Sequence, residues 1–263
     1  MKEFVPISKR RVFLHRLYVF GLSIISTLFA TLKWITVIPS DSYLYTKLLM
    51  VLLFALTFGW IALFFWSSLF GFWGLLRPTK PIGLKWADDE VSLTGKTALL
   101  MPVYNEEPVK VFADLLAMAQ ELEETGQANH FDIFVLSDTT NPKYWVKEEK
   151  LWLETQLRMP ENIHLYYRRR VKNTARKSGN IEDFCNKWGS LYDFMIVLDA
   201  DSLLSGKTLL KMSQLMEKNP DTGIIQAPPL CINRHSLFAR IQQFAGKVYG
   251  GVIAAGFPLL AGG

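Results

Sequence analysis

The sequence predicts an α/β domain with a mostly parallel sheet, preceded by two helices that span a membrane. Strand candidates separated by helical patterns recur between residues 95 and 232, as expected of βαβ units. Before them lie two long apolar stretches, and the second, Leu48–Leu76, has 29 residues without a charge. The 263 residues, of which 50% are hydrophobic, are enough for one ordinary domain and a membrane segment.

Residues 1–16 form a basic amino terminus, and residues 17–76 are predicted to be two transmembrane helices joined by a short loop. No charge occurs from Leu17 to Leu32, and the apolar character resumes after Lys33, whose ammonium group can reach the far interface. A signal peptide is the alternative for the first stretch, because its start is basic. However, no small-residue cleavage site follows, and a second apolar stretch does.

Basic residues lie on the same side of both predicted helices. They precede the first helix, and Arg77, Lys80 and Lys85 follow the second. Because lysine and arginine favour the cytoplasmic side of a membrane, the sequence predicts a cytoplasmic amino terminus and an extracytoplasmic loop. Everything after residue 77 is then expected in the cytoplasm.

The α/β region, residues 95–232, contains five strand candidates and two clear helices. The strand candidates are Thr97–Val103, Phe131–Leu136, Ile163–Tyr167, Tyr192–Leu198 and Gly223–Ala227. The first helix begins at Pro108, ends before Gly126 and carries an apolar face at helical spacing, formed by Val111, Leu115, Met118, Ala119 and Leu122. The second helix is Gly206–Lys218, which Asn219-Pro220 ends.

The stretch Phe194–Leu198 is a continuous apolar run that breaks into Asp199-Ala200-Asp201. Such a run is typical of a strand buried on both faces, and open α/β sheets bind ligands beyond the carboxyl ends of their strands. Two carboxylates one residue apart can share a divalent cation, which then takes phosphate oxygens as further ligands. The alternative is a strand that ends in ordinary acidic turn residues.

Three other groups are candidates for the same edge of the sheet. Asp138 ends a predicted strand, although an aspartate there is often a turn or cap residue. The basic stretch 168–177 precedes a helix start at Ser178-Gly179-Asn180, where Lys177 and backbone N–H groups could hold a diphosphate; a solvated basic surface is the alternative. Tyr104 and Glu106 could contact a nucleoside or cap the first helix.

Several other kinds of site are excluded. Ser205-Gly206-Lys207-Thr208 resembles the end of a P-loop, but Asp201 stands where the earlier glycine is required, and the dinucleotide motif G-x-G-x-x-G is absent. The two cysteines and four histidines have no metal-ligand spacing, so neither a disulfide scaffold nor a zinc site is expected. The net charge of +5 comes from clustered basic residues, and no nucleic-acid partner is expected.

The order of these motifs resembles the processive family 2 glycosyltransferases, which include cellulose and hyaluronan synthases and have a GT-A (Rossmann-like) fold. Within that family, the chain most resembles the bacterial synthases of osmoregulated periplasmic glucans. The stretches that carry the resemblance are 102–106, 137–138, 177–180 and 199–201, together with 167–177 and 238–245.

The resemblance implies an inverting transfer from UDP-glucose to a growing β-glucan, with a divalent cation (Mg or Mn), by a multi-pass protein of the bacterial inner membrane. By position, Tyr104 and Glu106 would contact the uridine, Asp138 the uracil and Lys177 the diphosphate. Asp199 and Asp201 would hold the cation, and this makes Asp201 the candidate catalytic residue. Membrane lipid is a further expected partner.

The chain also departs from the family pattern. The family carries a third aspartate, which deprotonates the acceptor, and a Gln-x-x-Arg-Trp acceptor motif, and this sequence has no counterpart of either. We therefore expect an incomplete GT-A domain, the donor-binding half with its membrane anchor, which is not active alone. Two alternatives are a membrane fragment that binds a UDP-sugar without transferring it and a transferase that acts on polyprenyl phosphate.

Residues 233–263 are expected to form an amphipathic segment. Leu237, Ile241, Phe244 and Val248 recur at helical spacing, and Arg240 lies on another side. One interpretation is a helix packed on the sheet. The other is an interfacial helix that lies on the cytoplasmic leaflet of the membrane.

Overall fold

The computed structural model describes residues 9–39, 43–76, 91–227 and 236–261. Some predicted features lie outside these residues, namely the first eight residues, the loop residues 40–42, and Arg77, Lys80, Lys85 and Cys231. The chain divides into two compact units, one formed by Met1–Leu84 and Gln226–Gly263 and the other by Lys85–Ile225.

In the described part of the chain, the helical unit contains three α-helices, and the α/β unit contains four strands and four α-helices. The helical unit has α1 (Lys9–Ile35), α2 (Leu44–Leu76) and α7 (Leu237–Ala261). The α/β unit has, in chain order, β1 (Thr97–Val103), α3 (Pro108–Glu123), β2 (Phe131–Ser137), α4 (Pro142–Gln156), β3 (His164–Arg169), α5 (Arg176–Trp188), β4 (Phe194–Val197) and α6 (Gly206–Lys218).

Helices α1 and α2 form an antiparallel pair. Trp66 Nε1 near the end of α2 donates a hydrogen bond to Ser26 Oγ at 3.0 Å, and Trp34 at the end of α1 stacks on Phe54 with the ring centroids 4.9 Å apart. Within them, the stretches Val12–Ile35 and Leu44–Gly74 are long and apolar enough to cross a membrane, and most of their side chains are exposed. This matches the predicted pair of apolar helices.

Helix α7 packs against α2 and, less extensively, against α1. Among its described side chains, Ala239 is buried, whereas Leu237, Ile241 and Phe244 are exposed. The helix thus belongs to the helical unit, and its packing on the sheet stays one of the two interpretations from the sequence. Its predicted position at a membrane interface stays a prediction.

The sheet is entirely parallel, with the strand order β3-β2-β1-β4. The register pairs Thr97 with Phe131 and with Phe194, so the central strand β1 lies between β2 and β4. Because all four strands run in the same direction, their carboxyl ends lie along one edge of the sheet.

Helices cover both faces of this sheet. The apolar residues of α3 that the sequence predicted are all buried, and they pack with Leu99 and Met101 of β1 and with Leu209 of α6 on one face. On the other face, Phe184 of α5 packs against Leu100 and Phe134. This three-layer arrangement confirms the predicted α/β class.

Two predictions about the strands are wrong. Strand β4 is not buried on both faces: Met195 is 49% exposed and Val197 40% exposed. The reason is that β4 pairs only with β1 and forms an edge of the described sheet. In addition, the predicted strand Gly223–Ala227 has no regular secondary structure. The segment follows a turn in which Thr222 N donates a hydrogen bond to Asn219 O, and it pairs with none of the described strands.

Candidate functional site

The predicted site residues follow strands that end at one edge of the sheet. Tyr104 and Glu106 follow β1, Asp138 follows β2, and Asp199 follows β4 after one intervening residue. Lys177 is the second residue of α5, the helix that joins β3 to β4. In parallel α/β sheets this edge is where ligands bind.

The segment after β4 forms a hydrogen-bonded turn. Ser202 N donates to Asp199 O at 2.8 Å, so Ala200 and Asp201 occupy the two central positions. Lys177 Nζ forms an ion pair with the Asp199 carboxylate and also donates to Leu198 O at 3.4 Å. The side chains of Asp199 and Asp201 are both exposed. The fold therefore brings Lys177, the predicted diphosphate ligand, into contact with Asp199, a predicted metal ligand.

The two carboxylates suit a hard cation but do not enclose one. Carboxylate oxygens are the ligands that Mg²⁺ and Mn²⁺ prefer. Among the described residues, no three acidic, histidine or cysteine side chains converge as a metal site would require. A cation held by Asp199 and Asp201 would therefore need further oxygen ligands, which a diphosphate supplies.

The start of α5 has a strained backbone. Ala175 and Arg176 have φ angles of 55° and 49°, which non-glycine residues seldom adopt. In the first turn, a Cβ atom at Gly179 would lie 2.2 Å from Thr174 O, so only glycine fits there. The Ser-Gly-Asn sequence thus lets the chain fold closely over the amino terminus of a helix, which is a favourable position for a phosphate group.

Asp138 is buried and forms a bidentate ion pair with Arg170. Arg170 Nε donates to Oδ1 at 2.7 Å and Nη2 to Oδ2 at 2.6 Å, and these hydrogen bonds raise the pKa of the guanidinium group. Asn173 Nδ2 also donates to the backbone oxygen of Asp138 at 2.6 Å. Each carboxylate oxygen keeps one further acceptor position, so a ligand would meet Asp138 together with Arg170.

The run of three arginines does not form a phosphate surface. Arg168 points toward α5, where its Nη2 donates to Asn180 Oδ1 at 2.8 Å and its Nη1 pairs with Asp183 at 2.9 Å. Arg169 lies over the Trp145 ring, 4.5 Å from the centroid. With Arg170 held by Asp138, the whole run is engaged within the protein. These pairs also argue against a simple solvated surface for the three arginines, and Lys177 is the residue of the basic stretch that the structure shows in contact with the acidic turn.

The loop after β1 is fixed by Asn105. This residue has a φ of 53°, and its Oδ1 accepts from Thr140 N at 3.2 Å and from Asn141 N at 3.1 Å, so it ties the loop after β1 to the loop after β2. Tyr104 and Glu106 on either side of it are exposed. They do not cap α3, because its N-cap is Glu107, which makes no side-chain capping bond.

One residue near this edge was not predicted. Glu148 of α4 is 2% exposed and accepts hydrogen bonds from the hydroxyl groups of Ser137, Thr139 and Tyr167. A signal for its burial exists in the sequence, since Glu148 falls between Trp145 and Trp152 at helical spacing.

A parallel α/β sheet with helices on both faces, and with carboxylates and a lysine at its carboxyl edge, defines the class of nucleotide-binding α/β domains. The sequence family described as Glycosyl transferase family 2 matches residues 98–253. The chain therefore belongs to glycosyltransferase family 2, which confirms the predicted resemblance and fold class.

Curated bacterial proteins are similar to this chain in sequence. Proteins named glucans biosynthesis glucosyltransferase H from Shewanella sp. (strain ANA-3) and Shewanella oneidensis are each 43% identical to this chain over 241 residues, which is 92% of the chain. The chain spans 33% of the length of these relatives.

Among solved structures, the chain is similar to the mannosyltransferase PcManGT from Pyrobaculum calidifontis in complex with GDP-Man and Mn²⁺. The TM-score is 0.43 and the identity is 16%, over 59% of this chain and 41% of that one.

Proposed function

We propose that this chain carries the UDP-glucose site of a membrane glucosyltransferase that builds a β-glucan. The name of the curated relatives supports glucose as the transferred sugar and a glucan as the product. The contact between Lys177 and Asp199 at the carboxyl edge of the sheet is the observation that carries the proposal. It joins a cation suited to phosphate and a carboxylate suited to a metal ion at the edge where α/β domains bind ligands.

Each side of this site has a chemical role. Lys177 and the amino terminus of α5 bind the diphosphate, and Asp199 and Asp201 hold a divalent cation, Mg²⁺ or Mn²⁺, against it. The cation, when bound, offsets the negative charge that develops on UDP as the bond to the anomeric carbon breaks. Asp201 acts by holding that cation, because its side chain is exposed at the turn after β4.

The nucleoside lies toward β1 and β2 in this proposal. Tyr104 is 57% exposed, so its ring is open to stack on a base, and Glu106 is exposed beside it and can accept from ribose hydroxyls. Asp138 accepts from the uracil through its remaining acceptor positions, with Arg170 fixing the plane of the carboxylate.

The membrane context follows from the two apolar helices. We infer that α1 and α2 anchor the chain in the bacterial inner membrane, in contact with lipid, with the α/β unit in the cytoplasm where nucleotide sugars are made. The growing glucan is the proposed acceptor.

Calorimetric titration of the full chain with UDP tests the donor site. We expect binding with Mn²⁺ present, loss of binding in EDTA, and a weakening of roughly 1–3 kcal/mol in Asp201→Asn, the scale of a lost charge-assisted contact. Asp221→Asn is the matched control, because this exposed aspartate follows α6, which leads away from the carboxyl edge. Equal affinities of the two variants would rule out the cation assignment. Release of UDP from UDP-glucose would separate transfer from binding alone.

A further inference from the structure

Glu148 is a buried carboxylate that hydroxyl groups alone hold. Ser137 Oγ donates to Oε2 at 2.6 Å, Thr139 Oγ1 to Oε1 at 2.6 Å, and the Tyr167 hydroxyl to Oε2 at 3.0 Å. Among the residues that the structure describes, no lysine, arginine or histidine forms an ion pair with it. Its neighbour Glu149 is exposed, which is the usual position for such a residue.

A carboxylate in this environment constrains its neighbours. A buried charge is costly unless its oxygens accept hydrogen bonds, so each hydroxyl must keep its proton directed at Glu148. Burial and the nearby carboxylate both raise the pKa of Tyr167, which keeps that phenol a donor. The segment Ser137–Thr139 is consequently fixed on the side chain of Glu148.

Thr139 connects Glu148 to the loop after β1 through hydrogen bonds. Its Oγ1 donates to Glu148 and also accepts from Asn105 N at 3.1 Å. A hydroxyl group can do both, because it has one proton and two lone pairs. With its proton on Glu148, the Thr139 oxygen accepts the hydrogen bond from the backbone N–H of Asn105, which has the left-handed conformation with a φ of 53°. Such a conformation persists only where its surroundings hold it.

We propose that Glu148 is a positioning residue for recognition of the nucleoside. Through Thr139 it holds Asn105, and Asn105 sets the direction of the flanking Tyr104 and Glu106. Through Ser137 and Thr139 it also fixes the backbone on both sides of Asp138. This inference rests on the proposed function: a buried residue fixes the positions of the residues that are proposed to contact the nucleoside.

The proposal separates two halves of the site. The Glu148–Thr139–Asn105 relay supports the loops after β1 and β2, whereas Lys177, Asp199 and Asp201 belong to α5 and to the turn after β4. Loss of the relay should therefore weaken binding of UDP and leave binding of inorganic pyrophosphate with Mn²⁺ unchanged. A general loss of structure would weaken both.

The test compares three threonine variants of the full chain. Thr139→Val removes the relay hydroxyl at constant size, and Thr139→Ser restores it. Thr97→Val is the matched control, because Thr97 is also fully buried and its hydroxyl bonds to Ser213 Oγ at 3.0 Å at the opposite end of β1. We expect Thr139→Val to weaken UDP binding roughly tenfold, as for a partly buried donor left without its acceptor. Thr139→Ser and Thr97→Val should stay within about twofold of the unmodified chain, the scale of a few tenths of a kcal/mol.

Titrations with UDP and with inorganic pyrophosphate, each with Mn²⁺, give the outcome, and thermal melts show that each variant is folded. Glu148→Gln, which removes the charge at constant size, should show the same selective loss of UDP affinity. If Thr139→Val binds UDP as the unmodified chain does, or loses both ligands equally, the positioning role is wrong. If the unmodified chain binds pyrophosphate but not UDP, the proposed function fails, and this inference with it.

Discussion

The ion pair between Lys177 and Asp199 predicts an exchange of partners when the donor binds. Lys177 Nζ now neutralises a carboxylate that we assign to the cation. A cation bound by Asp199 would repel the ammonium group, so its binding favours release of Lys177, which then becomes available to the diphosphate. Lys177→Met, which keeps the length of the side chain without its charge, should therefore have opposite effects on two ligands: tighter binding of Mn²⁺ alone and weaker binding of UDP with Mn²⁺.

The exposure of the pair sets the size of both effects. The side chains of Lys177 and Asp199 are 48% and 68% exposed, and exposed ion pairs contribute only about 0–1 kcal/mol. Freeing Asp199 should thus tighten Mn²⁺ binding by at most about fivefold. A hydrogen bond between a charged lysine and a phosphate contributes about 1.5–3 kcal/mol, so UDP binding should weaken by roughly ten- to a hundredfold.

Isothermal titration of the full chain measures both quantities, with Mn²⁺ alone and then with UDP at saturating Mn²⁺. Lys207→Met is the matched control, because Lys207 is also exposed and is the second residue of its helix, as Lys177 is of α5. The control should change neither affinity by more than about twofold. Weaker Mn²⁺ binding in Lys177→Met, or an equal loss of UDP affinity in the two variants, would refute the exchange.

Three further predictions concern the membrane, the ion pair below the site and helix α7. A cysteine at Ser42, which lies outside the described residues, should react with an impermeant reagent added outside the cell, and one at Thr94 should not; the reverse pattern would contradict a cytoplasmic donor site. Asp138→Ala should destabilise the folded chain by about 3–5 kcal/mol in denaturant unfolding, because its largely buried arginine partner loses its counter-charge, and a loss below about 1 kcal/mol would contradict this. In lipid nanodiscs, a spin label at Phe244 should be accessible to oxygen and one at Arg240 to a water-soluble relaxation agent; equal accessibility would rule out an interfacial position for α7.

Local patterns predicted α3, α6 and the central strands well, because their cause is local, whereas α4 was not predicted. The apolar residues of α3 recur every three or four positions, and a helix with that pattern buries one face wherever it packs. Strand β1 has the predicted bounds, and β2 runs one residue further than predicted. Strand β4 was misjudged for a different reason. An apolar run indicates that a strand can be buried, but not whether a second strand lies beside it.

The sequence predicted where the site residues lie in the fold, but not which side chains they contact. Residues that follow parallel strands must lie at one edge, so Asp138 and Asp199 could be placed there from the sequence. That Asp138 pairs with Arg170, 32 positions later, depends on the neighbouring positions of β2 and β3. Glu148 and Glu149 are chemically identical neighbours; the helical spacing of Glu148 from Trp145 and Trp152 indicates which of them is buried, but not the hydroxyl groups that it meets.

The three arginines after Tyr167 are consecutive in the sequence, but each contacts a different part of the protein. Arg168 and Arg169 are the last residues of β3, and successive side chains of a strand point to opposite faces, so one meets Asp183 on α5 and the other meets Trp145 on α4. Arg170 lies beyond the strand and reaches Asp138 at the edge. Each of these three arginines thus has a partner within the protein, whereas the partner of Lys177 on α5 is an exposed carboxylate. We therefore propose that Lys177, whose own pair with Asp199 is exposed and weak, is a cation of this stretch that can exchange its partner for the phosphates.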